Sequence, residues 1–104
     1  MEQRKSHRYR LHAPVIFGWT DPDGLSQLRG GFTRDISAGG LFVLCEASAP
    51  LEAVLTLEVL LPPFKASSTV LRLKGEGHVV RVEMKQTGFA AASEFDPNLL
   101  KSEM

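Results

Sequence analysis

This 104-residue chain has little cysteine, no long apolar run and no excess of charge of either sign. Its one cysteine, Cys45, cannot form a disulfide within the chain, and no run of about 18 apolar residues is present that could span a membrane as a helix. The charged N-terminus lacks the apolar segment of a secretory signal peptide. These absences predict a single cytoplasmic domain without a membrane span, and its length allows a core of its own.

Groupings that support catalysis or metal binding are also missing from the sequence. The three histidines, His7, His12 and His78, lack metal-ligand spacing, and one cysteine cannot complete a zinc site. No histidine is placed to activate Ser37 as a nucleophile, and neither a tuned carboxylate pair nor a Walker-type loop is present. We therefore expect a binding protein without a resident metal or cofactor, and not an enzyme.

Positive charge is concentrated in RKSHRYR, residues 4–10. The chain has twelve cationic and twelve anionic side chains, but residues 1–10 hold four cationic side chains against one acidic one. Their net charge of +3 leaves −3 for the remaining residues, because the whole chain sums to zero. A nucleic-acid binder usually has a broadly basic surface, so this distribution favours a compact anion over a long polyanion. Taken alone, the segment is typical of a solvated basic tail.

Apolar and polar residues alternate with period two along most of the chain, which predicts short strands. In VLTLEVLL, residues 54–61, the four alternate residues from Leu55 to Leu61 share one face. Further strands are predicted for PVIFGW, LSQLRGGFTRDIS, LFVLC, STVLRLKG, GHVVRVEM and GFAAASEF. Six or seven short strands between turns predict an all-β fold, a small antiparallel barrel or sandwich, and bends at glycine pairs favour the barrel.

Glycine pairs and a helix-start signature complete the expected architecture. Gly30–Gly31 predicts a bulge or sharp bend, and Gly39–Gly40 predicts a break before the next strand. Near the C-terminus, Asp96 fits a helix N-cap and Pro97 the first helical position. The expected parts are a basic N-terminal switch segment at 1–12, a β-barrel at 13–95 and a short C-terminal helix or tail at 96–104.

Three side chains outside these patterns are expected in structural roles. Cys45 ends an apolar strand and is typical of a buried hydrophobic residue. Trp19, at the end of PVIFGW, fits packing in the core or at the barrel rim better than stacking on a base. His78 fits a strand face in or beside the core.

A second polar grouping occurs in RDISAGGLFV, residues 34–43, where Asp35, Ser37 and Gly40 have the spacing Asp-x-Ser-x-x-Gly. On a strand the aspartate and the serine lie on one face. A carboxylate can accept both adjacent donors of guanine, N1–H and N2–H₂. Arginine binds guanine O6 and N7, stacks on the base and clamps phosphate. A ligand that carries both guanines and phosphates would need this segment and the basic one.

The basic segment has a spacing of its own, because Arg4 and Arg8 form Arg-x-x-x-Arg, followed by LHAPV. Together with Asp-x-Ser-x-x-Gly and the stretch GHVVRVEMKQTGFAAASEF, this resembles the PilZ domain, a family of bacterial receptors for the second messenger cyclic di-GMP. By chance, the arginine pair arises in roughly one such chain in four and the second motif in a few per cent. The resemblance covers nearly the whole chain and implies a six-stranded antiparallel β-barrel with a C-terminal helix.

The resemblance implies how the basic residues would bind cyclic di-GMP. Arg4 and Arg8 would bind phosphate and the Hoogsteen edge or the face of guanine, and Lys5 would add a phosphate contact. Arg81, on the charged face of a strand, is a candidate second guanine-stacking residue, although no motif supports it. The family often has an additional arginine just before its first motif, where this chain has Glu2 and Gln3.

The second motif would contact the base. Asp35 would accept hydrogen bonds from guanine N1–H and N2–H₂. Ser37 would bond to the ligand or hold the loop, and Gly39 and Gly40 would permit a close approach of the backbone. The expected function is a receptor whose N-terminal segment folds over the nucleotide and signals to a downstream protein, such as motility or exopolysaccharide machinery, or through a homodimer.

Two other functions are compatible with the sequence. The first is a PilZ-like adaptor that binds a protein and not a nucleotide; the intact motifs disfavour it. The second is a small barrel that binds single-stranded nucleic acid through its basic segment and aromatic residues. The neutral overall charge disfavours a nucleic-acid polymer as the partner.

Overall fold

The computed structural model describes residues 8–61, 71–85 and 87–93, and in these ranges all regular elements are strands. They are β1 (Tyr9–Arg10), β2 (Pro14–Thr20), β3 (Ser26–Ser37), β4 (Gly40–Leu44), β5 (Val54–Leu61), β6 (Leu71–Glu83) and β7 (Gly88–Ser93). Within the described ranges there is no helix long and apolar enough to cross a lipid bilayer. The helix predicted at 96–104 lies outside the described residues.

Six of the seven strands close into an antiparallel barrel. Its strand order is β3-β2-β5-β6-β7-β4, and the pairing of β4 with β3 closes the ring. The short strand β1 pairs with β3 in addition to this ring. The barrel predicted from alternation and glycine spacing is therefore confirmed, and the sandwich is not formed.

Alternate side chains of the strands fill the interior of the barrel. The four alternate residues of β5 from Leu55 to Leu61 are each at most 3% exposed, in agreement with the pattern in the sequence. Phe17 and Phe89 pack edge to face with their ring centroids 4.9 Å apart. Because full burial of one such side chain contributes roughly 1.5–3 kcal/mol, this apolar interior is the main source of stability.

The segment TDPDG, residues 20–24, is rich in turn-forming residues; it leads from β2 to β3 and is organised by Asp21. The Oδ1 atom of Asp21 accepts hydrogen bonds from the N–H groups of Asp23 and Leu25, both at 2.9 Å. The bond from the Leu25 N–H is the main cause that lowers the pKa of the Asp21 carboxyl. Gly24 has a φ of 85°, a left-handed conformation in which glycine is the least strained residue. The turn chemistry of the sequence therefore determines this hairpin.

One long strand, β6, stands where the sequence predicted two strands. It continues through Gly75 and Gly77, at which STVLRLKG and GHVVRVEM were divided. Gly77 has a packing role instead, because a Cβ atom there would overlap the carbonyl oxygen of Ala92 in β7. The glycine signal thus marked a close approach between two strands and not the end of a strand.

The bulge of β3 lies at Arg34 and not at the predicted Gly30–Gly31. Both glycines pair in regular register with β2. The ladder between β3 and β4 shifts between Thr33 and Asp35, which makes Arg34 the additional residue. Gly31 is required for a different reason, because a Cβ atom there would overlap the carbonyl oxygen of Leu44.

A second bulge occurs in β6, where the ladder with β7 shifts between Val79 and Arg81. Val79 is fully buried and Val82 packs against the core, so Val80 and Arg81 both lie on the outer surface between them. The prediction that His78 lies in or beside the core is wrong, because Val79 takes the inward position and His78 is exposed. A bulge interrupts strict alternation, and a sequence pattern of period two cannot represent it.

Trp19 and Cys45 are partly buried and pack against the core. Trp19 stacks on Phe17 with a centroid distance of 6.0 Å, and the guanidinium carbon of Arg29 lies 5.8 Å from its ring. Burial raises the pKa of the Cys45 thiol, which favours the protonated form and disfavours a role as a nucleophile. Trp19 therefore packs as expected, and Cys45 is less buried than expected.

Candidate functional site

Strand β1, which the sequence patterning missed, carries Arg8 towards the Asp-x-Ser-x-x-Gly motif. Its residues pair with β3 in the register Tyr9↔Ile36 and Arg10↔Asp35. Tyr9 packs against the core, while Arg10 is exposed. Two residues are too few to show an alternating pattern, so this strand exists because β3 provides a pairing partner.

The buried residue Thr33 fixes the link between β1 and β2. Its hydroxyl donates to the carbonyl oxygen of Leu11 and accepts from the N–H of Ala13 at 2.9 Å. The Thr33 N–H donates to the Ala13 carbonyl oxygen at 2.8 Å. These bonds satisfy backbone groups at an interruption of the strand pairing, where unpaired buried groups would be costly. The N-terminal arm, defined here as residues 8–13, therefore has a defined place on β3.

The bulge in β3 puts Arg34 and Asp35 side by side on the outer surface of the barrel. Fully buried residues flank them, Thr33 before and Ile36 after. Strict alternation counted back from Ile36 would turn Arg34 inward, so the bulge is what brings this cation to the motif aspartate. Ser37 follows on the outer side with Asp35, as the motif spacing predicts.

A cleft of about 210 Å³ lies between the N-terminal arm, the β3–β4 hairpin and strands β6 and β7. Six of the eight predicted site residues line this cleft: Arg8, Asp35, Ser37, Gly39, Gly40 and Arg81. The other two, Arg4 and Lys5, lie outside the described residues. The lining also includes residues that the sequence analysis did not single out, notably Arg34, Phe42 and Val80.

The carboxylate of Asp35 contacts two arginines, one on each oxygen. Nη1 of Arg8 lies 3.4 Å from Oδ1, and Nε of Arg34 donates to Oδ2 at 2.8 Å. The side chain of Asp35 is 14% exposed, that of Arg34 30% and that of Arg8 53%. The longer distance and greater exposure make the Arg8 ion pair the weaker one, because solvent-exposed pairs contribute only about 0–1 kcal/mol.

Phe42 forms the floor of the cleft beneath the arginines. Phe42 is 2% exposed. The guanidinium carbon of Arg34 lies 4.0 Å from the centroid of the Phe42 ring, and that of Arg81 lies 5.9 Å from it. Arg81 also forms an ion pair through Nε with Glu83, the neighbouring outer residue of β6. Phe42 belongs to the apolar run LFVLC, so its sequence context indicated a core residue and nothing about its arginine partners.

The remaining motif residues lie at the turn between β3 and β4, where Ser37 ends β3, Gly39 lies in the two-residue turn and Gly40 begins β4. The N–H of Gly39 donates to Oγ of Ser37 at 3.3 Å, and the Ser37 hydroxyl donates to the Gly40 carbonyl oxygen at 3.4 Å. A Cβ atom on Gly40 would overlap the carbonyl oxygen of Ala91 in β7. Packing against β7 is therefore sufficient reason for glycine at this position, and Ser37 holds the loop through its hydroxyl.

These features define a small antiparallel barrel that presents a cationic arm and a half-buried carboxylate at one outer cleft, an arrangement typical of a binding module. The family model of the PilZ domain matches residues 2–102, and the chain belongs to this family. No match was found among curated proteins.

Two solved structures resemble the chain in fold. The Bacillus subtilis inhibitor of motility, MotI/DgrA, is 18% identical with a TM-score of 0.67, and the match covers 99% of this chain and 48% of that one. The chain thus spans about half the length of the Bacillus protein. The PilZ domain with c-di-GMP of YcgR from Escherichia coli is 14% identical with a TM-score of 0.50, and the match covers 98% and 86%.

Proposed function

We propose that this PilZ domain is a receptor for cyclic di-GMP. The observation that carries the proposal is the contact between Arg8 and Asp35, which joins the two sequence motifs across 27 positions at one cleft. The solved PilZ domain of YcgR is described with c-di-GMP, and a ligand of the same class is what the chemistry of this cleft favours. It offers an acceptor pair for a guanine edge and cations for phosphate.

In the proposed complex Asp35 recognises the Watson–Crick edge of guanine. A carboxylate has about four lone-pair sites on two oxygens, so contacts with Arg8 and Arg34 leave acceptor capacity on each oxygen. Guanine offers two adjacent donors to this carboxylate, whereas adenine offers one donor beside an acceptor that repels it. The cleft volume of about 210 Å³ is below the roughly 300–1,000 Å³ of drug-sized sites, so one base enters and the rest of the dinucleotide lies across the arm.

The N-terminal segment provides the switch. The contact of Arg8 with Asp35 is long and half exposed, so little free energy is lost when Arg8 turns to a phosphate. Arg4 and Lys5 join it there, while the pairing of β1 with β3 keeps the segment attached to the barrel. Each charged hydrogen bond contributes about 1.5–3 kcal/mol and each ordered side chain costs about 0.5–1.5 kcal/mol. Several such contacts give micromolar or better affinity.

In this proposal the domain signals and does not catalyse. Closure of the segment changes the shape and charge of the surface around the cleft, and a separate protein in the bacterial cytoplasm recognises the change. Motility or exopolysaccharide machinery is the class of partner we propose, and a homodimer is a second way of carrying the signal.

Calorimetric titration with cyclic di-GMP tests the proposal on the wild type and on Arg8→Ala, Asp35→Ala and the control Arg29→Ala. Arg29 lies on the same strand as Asp35 but contacts Trp19, away from the cleft. We expect each site variant to lose about tenfold to a hundredfold in affinity, the value of one charged hydrogen bond, and the control to bind as the wild type does.

Asp35→Ala should lose affinity for cyclic di-GMP more than for cyclic di-AMP, because the carboxylate contributes guanine recognition. The outcome that contradicts the receptor is a wild type that gives no heat and no rise in melting temperature at a hundredfold excess of cyclic di-GMP. That result leaves the adaptor, which binds a protein and not a nucleotide.

A further inference from the structure

We propose that Arg34, held on the ring of Phe42, is the positioning residue for Asp35 and thereby sets the preference for guanine. This inference rests on the proposed function, because it concerns how the same cleft selects its base. Neither Arg34 nor Phe42 belongs to the two sequence motifs. Both are identified by their contacts in the folded barrel.

The guanidinium of Arg34 is held from two directions. Its Nε donates to Oδ2 of Asp35 at 2.8 Å, and its central carbon lies 4.0 Å from the centroid of Phe42. Phe42 is itself 2% exposed and sits in β4, which pairs with β3 at Asp35. A planar cation that rests on an immobile ring and is bonded at its edge has few alternative rotamers. The position of Arg34 is therefore determined by the barrel.

A fixed Arg34 determines where the free edge of the carboxylate points. Because Nε occupies one lone pair of Oδ2, rotation of the Asp35 side chain would break a charge-assisted bond. Asp35 lines the cleft together with Arg8 and the β3–β4 turn, so a base in the cleft would meet the acceptor sites that Arg34 leaves open. Two donors at the fixed spacing of guanine N1–H and N2–H₂ need both oxygens in one orientation. A base with a single donor gains less from that orientation, so positioning contributes to selectivity.

Arg34 also keeps the aspartate paired when Arg8 leaves. The side chain of Asp35 is 14% exposed, and a poorly hydrated charge without a partner is unfavourable. Arg8 is the more exposed cation with the longer contact, and Arg34 is the less exposed one with the shorter contact. The two arginines therefore have different roles in the proposed complex. Arg8 is free to move to a phosphate because Arg34 stays with the carboxylate.

Lysine does not replace arginine in this role. An ammonium group is a compact charge without a planar face or an Nε–H at the edge, so it cannot rest on Phe42 and bond to Oδ2 with the same geometry. The charge near Asp35 is kept, but the orientation of the carboxylate is not. Arg34→Lys therefore separates the electrostatic contribution from the positioning contribution, and Arg34→Met removes both while keeping an unbranched side chain.

The test compares the wild type, Arg34→Lys, Arg34→Met and the matched control Arg29→Met by titration with cyclic di-GMP and cyclic di-AMP. Arg29 is a suitable control because it also lies in β3 over an aromatic ring, that of Trp19, at 5.8 Å. We expect both Arg34 variants to lose about tenfold or more in affinity for cyclic di-GMP and about threefold or less for cyclic di-AMP, so that discrimination falls. Arg29→Met should retain the affinities and the ratio of the wild type.

Equal loss for the two nucleotides in the Arg34 variants would overturn the inference and assign Arg34 a structural role only. A second readout needs no nucleotide: the Hα–Hβ couplings of Asp35 in NMR spectra report its side-chain rotamer. We expect unequal couplings in the wild type and in Arg8→Ala, and averaged couplings in both Arg34 variants. If the wild type binds no cyclic di-GMP, the proposed function fails, and unchanged couplings in Arg34→Met would separately refute the positioning role.

Discussion

At the scale of single residues, the ion pair of Arg81 with Glu83 bears on the proposed contact of Arg81 with the nucleotide. Its guanidinium lies at the edge of the cleft, 5.9 Å from the Phe42 ring, and its Nε is engaged by Glu83. The side chains of Arg81 and Glu83 are 55% and 35% exposed, so the pair is weak in water. In the proposed complex, the pairing with Glu83 restrains Arg81 and competes with any shift of its guanidinium over the base.

Glu83→Gln is therefore predicted to increase the affinity for cyclic di-GMP by about twofold to fivefold, the equivalent of an exposed ion pair of up to about 1 kcal/mol. The measurement is a calorimetric titration at low salt, where surface charges are least screened. The matched control is Glu58→Gln, because Glu58 pairs with Arg72 on β6 outside the cleft. If Glu83→Gln binds cyclic di-GMP more weakly than the wild type does, the proposed contact of Arg81 with the ligand is contradicted.

At the scale of the elements, the two bulges and the close strand contacts shape the site. The bulges at Arg34 and Val80 lie on different strands, and each turns a pair of neighbouring side chains outward at the same cleft. Gly40 is placed by the contact of β4 with β7, since its missing Cβ leaves room for the carbonyl oxygen of Ala91. A motif glycine can thus be required by the barrel itself.

Gly40→Ala is predicted to destabilise the fold by about 1–3 kcal/mol, because the new methyl group overlaps backbone and not a flexible side chain. For a domain of this size this lowers the melting temperature by about 4–8 °C per kcal/mol. Gly30→Ala is the control. Its added Cβ would lie 3.7 Å from the Val15 carbonyl oxygen, an ordinary contact, so the melting temperature should stay within a few degrees. An unchanged melting temperature for Gly40→Ala would contradict the packing role of Gly40.

At the scale of the whole molecule, strand β1 and its neighbours connect the basic segment to the barrel. The sequence placed the boundary after residue 12, but Tyr9 and Leu11 pack against the core and β1 pairs with β3. The basic segment is therefore joined to the barrel at its C-terminal end. In the proposed switch, closure starts from this attached strand and not from a wholly free tail.

Two truncations test whether residues 8–12 contribute to the stability of the barrel. Removal of residues 1–7 should leave the melting temperature within a few degrees and lower nucleotide affinity, because Arg4 and Lys5 are lost while the arm is kept. Removal of residues 1–12 should also destabilise the barrel by about 2 kcal/mol or more, since Tyr9 and Leu11 no longer cover the core. The measurement is the melting temperature of each truncated chain. Equal melting temperatures of the two truncations would support a boundary after residue 12 and contradict a stabilising role of residues 8–12.

The sequence by itself determined the apolar alternation, the turn residues and the two spaced motifs, because these depend on neighbours along the chain. They were enough to predict an antiparallel barrel and to name six residues that share the cleft. Only the tertiary structure decided the pairing of β1, the continuous strand β6 and the bulges that turn Arg34 and Val80 outward. The physical reason is that register and bulges arise from contacts between strands distant in sequence. The arginine over Phe42 is a consequence of those contacts, and no local pattern could indicate it.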